Sequence, residues 1–199
     1  MKKALQSVLM IGFLSLSVSA MSKDKDFSLS FGKTEAETTV NFEVLNAQNV
    51  LVSIYSDQYG ELLSENLNSD KNVAKSYSFK DLDSGIYYLI VESDQKIEKY
   101  KINVDVDKKV LIEKEPVSEI LKPEFSVTGN MVKLRVSDLR DTAKILVNDF
   151  EDNVYYDTTK SAINGELEPT FDLNKKTADK YIITVEVDGK VFNKIVSVR

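Results

Sequence analysis

The sequence predicts an all-β chain, two tandem seven-stranded β-sandwich domains behind a cleaved N-terminal signal peptide. Three observations predict it. Short apolar runs rich in Val, Ile, Tyr and Phe alternate with polar residues, and long helical periods are missing. Turn signals punctuate these runs about every 8–12 residues, the spacing of a sandwich. The order of runs and turns also occurs twice.

The first 20 residues carry the export signal. Lys2 and Lys3 form a basic head, an apolar run follows from Ala4 to about Val18, and Val18-Ser19-Ala20 supplies small residues for cleavage. The run is too short and too serine-rich to span a bilayer, and no cysteine stands at the cut site to take a lipid. The expected product is exported through Sec to the periplasm, cell surface or medium, with no transmembrane segment in the mature chain. Residues 21–199 hold 24 basic and 32 acidic residues, a net charge of −8. That acidic balance argues against nucleic acid as a partner.

Cysteine, histidine and tryptophan are absent. An exported domain could use disulfides; this one must be stabilised by burial alone. The Ser-His-Asp triad, the Cys-His pair, ordinary zinc sites and haem ligation are excluded.

The duplication is read directly. Asn49–Leu63, "NVLVSIYSDQYGELL", aligns without a gap on Thr142–Tyr156, "TAKILVNDFEDNVYY". Val52 lies over Ile145 and Ile54 over Val147. Gly60 lies over Asn153, and both residue types tolerate a positive φ. Gly85–Val104 aligns on Asp179–Val198, setting Tyr87 over Tyr181, Leu89 over Ile183 and Val91 over Val185. Upstream, Val40, Phe42 and Val44 alternate as Val132, Leu134 and Val136 do, and "DFSL" at Asp26 and "EFSV" at Glu124 open the copies. The expected boundaries are 1–20 for the signal, 21–107 for the first domain and 108–199 for the second. In the first copy the strands should fall near 27–31, 38–45, 49–56, 61–66, 73–80, 85–93 and 96–104. The segment Asp105–Pro123 is a charged connection holding two of the three prolines. Within it "KKVLIEKE" could form a strand that extends the first copy or opens the second.

"DLDSGIYYL", from Asp81, places Asp83, Ser84, Gly85 and Tyr87 in the pattern that enters the sixth strand of immunoglobulin domains, with Leu89 where the cysteine would stand. The chain thus resembles immunoglobulin-like and fibronectin type III sandwiches. The resemblance implies a structural tyrosine corner at Tyr87 and Tyr181, and apolar volume at Leu89 and Ile183 in place of a disulfide. Residues 50–104 also resemble the C-terminal sorting domains of the type IX (Por) secretion system of Bacteroidetes, through "VSIYSDQYGELL", "FKDLDSGIYYLIV" and a lysine-rich last strand. That second resemblance implies a sorting or anchoring module as an alternative role.

Chemistry is sparse. Acids cluster at Asp81/Asp83, at Asp105/Asp107 and in "NDFEDN", Asn148–Asn153. The last reads as a calcium loop or as a solvated hairpin turn. The turn is favoured, because the aligned loop of the first copy offers only Asp57. No phosphate loop, G-x-S-x-G or H-E-x-x-H occurs. No catalytic residue, cofactor or metal is therefore expected.

Alternation gives the faces. With Val50, Val52, Ile54, Tyr87, Leu89, Val91, Tyr100, Ile102 and Val104 inward, the first copy turns Leu51, Tyr55, Ile86, Tyr88 and Ile90 outward, beside Lys99 and Lys101. The second copy offers the more polar Lys144, Leu146, Asn148, Lys180, Ile182, Thr184 and Glu186. An outward apolar face can mark a partner-binding surface, lie beneath other parts of the chain, or reflect strand propensity alone. The expected function is a non-catalytic adhesion, scaffold or ligand-binding module for a protein or surface polymer. A carbohydrate binder is a weaker alternative, since no Trp platform exists.

Overall fold

The computed structural model describes residues 26–32, 38–69, 71–174 and 177–198. Residues 1–20, expected to be a signal peptide, lie outside the described residues. Among the described residues all regular structure is β, and no helix is long and apolar enough to cross a membrane.

Two units form, one of Met21–Lys122 and one taking in Pro123–Arg199. In the first, β1 (Ser28–Phe31), β2 (Thr39–Leu45) and β5 (Val73–Ser78) make a three-stranded sheet. It packs on a sheet of β3 (Val50–Ser56), β4 (Gly60–Leu67), β6 (Gly85–Glu92), β7 (Lys96–Val104) and β8 (Val110–Ile112), in the order β4-β3-β6-β7-β8. A further strand, β9 (Ser118–Leu121), pairs with the first half of β7. In the second unit β10 (Glu124–Thr128), β11 (Met131–Arg135) and β14 (Thr170–Asp172) face β12 (Thr142–Asn148), β13 (Val154–Ser161), β15 (Lys180–Val187) and β16 (Lys190–Ser197), ordered β13-β12-β15-β16. Each unit is a β-sandwich, and all sheet pairings are antiparallel.

The strand faces follow the residue alternation. Val40, Phe42 and Val44 of β2 meet Val50, Val52 and Ile54 of β3, Tyr87, Leu89 and Val91 of β6, and Tyr100, Ile102 and Val104 of β7 in one buried cluster. In the second cluster Val132, Leu134 and Val136 meet Ile145, Val147, Tyr181, Ile183 and Val185. The copies also share an irregularity. The pairing with the next strand shifts after Ile54 in one and after the aligned Val147 in the other, a bulge that bends the strand at the same place.

Each corner is closed by a phenol. The buried Tyr87 hydroxyl donates to the Asp83 carbonyl at 2.8 Å, and the buried Tyr181 hydroxyl donates to the Asn174 carbonyl at 2.7 Å. Burial pushes the Tyr87 phenol up, and the nearby Asp83 carboxylate adds to the effect. Leu89 and Ile183 are fully buried beside these tyrosines.

Three expectations change. The first unit ends at Lys122 rather than Asp107, because "VLI" and "SEIL" add to β7 instead of opening the second copy. Among the described residues that unit accordingly has nine strands rather than seven. In the loop after β12, the positive φ falls on Asp152 rather than Asn153, while Gly60 adopts it as expected. The last hairpins also differ. Asp188 and Gly189 both take positive φ, as a two-residue I′ turn requires. Asp94-Gln95 do without it, because the Ser93 hydroxyl accepts the Gln95 and Lys96 amides at 3.0 and 3.1 Å.

Tyr87→Phe leaves the Asp83 carbonyl without its buried donor and should destabilise the first unit by about 1–3 kcal/mol. Leu89→Ala should cost about 2–5 kcal/mol. Denaturant unfolding of each variant measures both, and a Tyr87→Phe variant as stable as the parent would show that the phenol contributes only its ring.

A candidate binding face on the first sandwich

The strand register assembles the outward residues into rows. Tyr55 of β3 stands beside Tyr88 of β6, which stands beside Lys101 of β7. The next row is Ser53, Ile90 and Lys99, and the third is Leu51, Glu92 and Ile97. At the other end Ile86 neighbours Asn103, which neighbours Leu111 of β8. All seven residues singled out in the sequence therefore lie on one sheet face.

They are not equally available. Ile86 and Tyr55 are 44% and 36% exposed, whereas Leu51, Tyr88, Ile90, Lys99 and Lys101 are half-buried. The Lys99 ammonium lies 3.5 Å from the centre of the Tyr88 ring, so one aromatic face is already engaged by a cation. Lys101 pairs with Glu113 at 3.4 Å. The accessible apolar surface is thus Ile86 with Tyr55, flanked by the lysine and tyrosine edges.

Sequence reasoning missed the contribution of the connection. Leu111, 72% exposed, extends the Ile86 end of the face. At the opposite end Ile97 is buried next to Ile120 of β9. Two glutamates are buried nearby. Glu92 accepts Lys122 Nζ at 2.6 Å, and Glu98 binds both Lys96 and the Tyr100 hydroxyl. Burial, then the Glu98 carboxylate, hold the Tyr100 phenol far above its ordinary range. Glu98 was legible in principle, because alternation from Tyr100 and Ile102 turns it inward.

The acidic clusters serve turns. The Asp83 carbonyl takes the corner phenol while its Oδ2 accepts the Tyr59 hydroxyl at 2.7 Å. Asp105 Oδ1 accepts the Lys109 amide at 2.8 Å in the turn before β8. In "NDFEDN", Asp149 Oδ1 accepts the Glu151 and Asn153 amides at 2.8 and 3.0 Å, and Oδ2 accepts Asn153 Nδ2 at 2.9 Å and the Tyr155 hydroxyl at 2.7 Å. Its lone pairs are directed at donors of its own hairpin. The Asn153 side-chain hydrogen bond is the largest cause that lowers the Asp149 carboxyl to about 2, and the Tyr155 bond and the two amides assist against burial. The same contact pushes the Tyr155 phenol up to about 12. No group of three or more potential metal ligands occurs among the described residues.

Because the folded Asp149 carboxyl titrates below its unfolded value of about 3.9, its contribution to stability is complete above that value. It is lost as pH falls toward about 2. Asp149→Asn should therefore lower stability at pH 7 and flatten the acid limb of the second unit's pH–stability curve. Denaturant titrations between neutral and acidic pH measure this; an unchanged acid limb would show that the carboxylate carries no linkage.

No family model matches the chain, and no curated protein matches it. Among solved structures, the BSP domain of a biofilm-associated protein aligns with 81% of this chain at 14% identity and a TM-score of 0.28. The chain spans 27% of the length of that structure.

Proposed function

We propose that the chain is a non-catalytic, exported binding module that holds a protein or a surface polymer through the outer sheet face of its first sandwich. The observation that carries this reading is the asymmetry between two copies of one fold. Positions occupied by Leu51, Tyr55, Ile86 and Ile90 in the first copy hold Lys144, Asn148, Lys180 and Thr184 in the second. Leu146, Ile182 and Ile195 keep part of the second face apolar, but strand propensity acts on both copies alike and does not account for the more apolar composition of the first.

The signal-like N-terminus supports export, and the lack of His and Cys supports a role without nucleophilic catalysis. Exposed Ile86 and Tyr55 provide apolar contact area, and Tyr88, Lys99 and Lys101 supply polar edges that fix orientation. The resemblance of residues 50–104 to secretion sorting domains lends itself to the same use, since a sorting module is itself a binding module.

The test is retention of the purified chain on envelope fragments of the cells that make it, and on surface polymer stripped of protein. Tyr55→Ser with Ile86→Ser should lower retention by an order of magnitude or more while the thermal unfolding curve keeps its shape and midpoint. Undiminished retention by the folded double variant would reject the face.

A further inference from the structure

The two sandwiches end on different edges. In the first, β7 is covered along its length by an antiparallel strap, β8 and β9, interrupted at Lys114–Pro116. The Glu113 amide donates to the Lys101 carbonyl at 2.9 Å, the Val117 amide to the Lys99 carbonyl at 2.8 Å, and the Lys122 amide to the Gln95 carbonyl at 2.7 Å. In the second, β16 pairs with β15, and among the described residues no strand pairs with its other edge.

The strands are otherwise equivalent. Tyr87 faces Ile102 and Tyr181 faces Val196, so β16 has the register of β7. Asn193 and Ile195 consequently occupy the positions of Lys99 and Lys101, with backbone amide and carbonyl directed at the open edge. The covering differs accordingly. Glu98 and Tyr100 are buried, whereas their counterparts Phe192 and Lys194 are half-buried.

Charge indicates what the edge fits. The strap carries Glu113, Glu115 and Glu119 against the single Lys114, and it lies on a strand bearing Lys96, Lys99 and Lys101. Lys101–Glu113 and Lys96–Glu119 close at 3.4 and 3.9 Å. β16 keeps Lys190 at the position of Lys96, adds Lys194, and holds no acidic residue.

We propose that the open edge of β16 is a docking site for an extended acidic polypeptide segment, added antiparallel as β8 and β9 are added to β7. Backbone hydrogen bonds from Asn193 and Ile195 hold the strand, Phe192 supplies apolar surface, and Lys190 selects acidic side chains. This surface is separate from the face on the first sandwich and stands independently of it.

The probe is a synthetic peptide of residues 110–121, added to the chain of residues 21–199 and followed by amide hydrogen exchange. The Asn193 and Ile195 amides should exchange freely before addition and on the order of tenfold more slowly after it. Asn193→Pro removes an edge-facing donor while leaving the backbone ladder to β15, although it also removes the Oδ1 that accepts the Thr184 hydroxyl at 2.7 Å, and it should abolish the protection. Lys190→Glu should weaken binding several-fold, and carries the test if the proline variant does not fold. A peptide with its three glutamates changed to lysine should not protect. Four results would each overturn the proposal: no protection at millimolar peptide, equal protection by the reversed peptide, unaltered affinity of Lys190→Glu, or self-association through β16 in the absence of peptide.

Discussion

Contact between two apolar sheet faces is the constraint on which everything else in each unit rests. No covalent bridge ties the sheets, and a sandwich of this size buries only about 60% of its unfolded surface. The seal is made by one stripe of alternate residues per strand, with Val44, Val52, Leu89 and Val91 shut from water in the first unit and Leu134, Ile145, Ile183 and Val185 in the second. The rims use other means. Glu65 of β4 binds Lys75 and the Tyr77 hydroxyl of β5, across from one sheet to the other. Burial opposes ionisation of Glu65, yet the Lys75 and Tyr77 hydrogen bonds outweigh it and lower its pKa. The rim thus stays charged and closed at neutral pH.

With the interior fixed, the two copies diverge where packing does not constrain them. The bulge after β3 recurs after β12, and the corner phenols recur with their carbonyl partners. The outward faces, the last hairpins and the sheet edges do not recur. These positions meet solvent or an adjoining segment, so a change there leaves the sandwich intact. The candidate contact surfaces are drawn from this freer set.

Much of the fold was legible in the residues. Period-two alternation with an inward set of Val, Ile and Leu located β2, β3, β6 and β7 to within a residue or two, because a one-residue slip would turn the buried stripe to water. The connection 105–123 was harder. "VLIEKEPVSEIL" has short apolar runs broken by Pro116, and nothing local says whether such a run pairs backward or forward. That choice depends on the open edge of β7, a nonlocal fact. The same gap affected the candidate face. Which residues share it followed from alternation, but the strap's Leu111 and the burial of Ile97 came only with the pairing of β8 and β9, and the Lys99 cation over Tyr88 with the register of β6 on β7. Positive φ at Asp152 was likewise missed, since Asp and Asn both tolerate that conformation and the hydrogen bonds of Asp149 decide between them.

Leu89 is buried hydrocarbon at the position where immunoglobulin domains carry a cysteine, and Ile183 takes the aligned place in the second copy. A hydrocarbon plug has no oxidation state. The interior therefore needs neither a thiol oxidase nor a disulfide isomerase to mature, in a thiol-rich lumen as in an aerated one. Such a chain cannot be trapped with mispaired thiols, and reductants in its surroundings cannot unlock it.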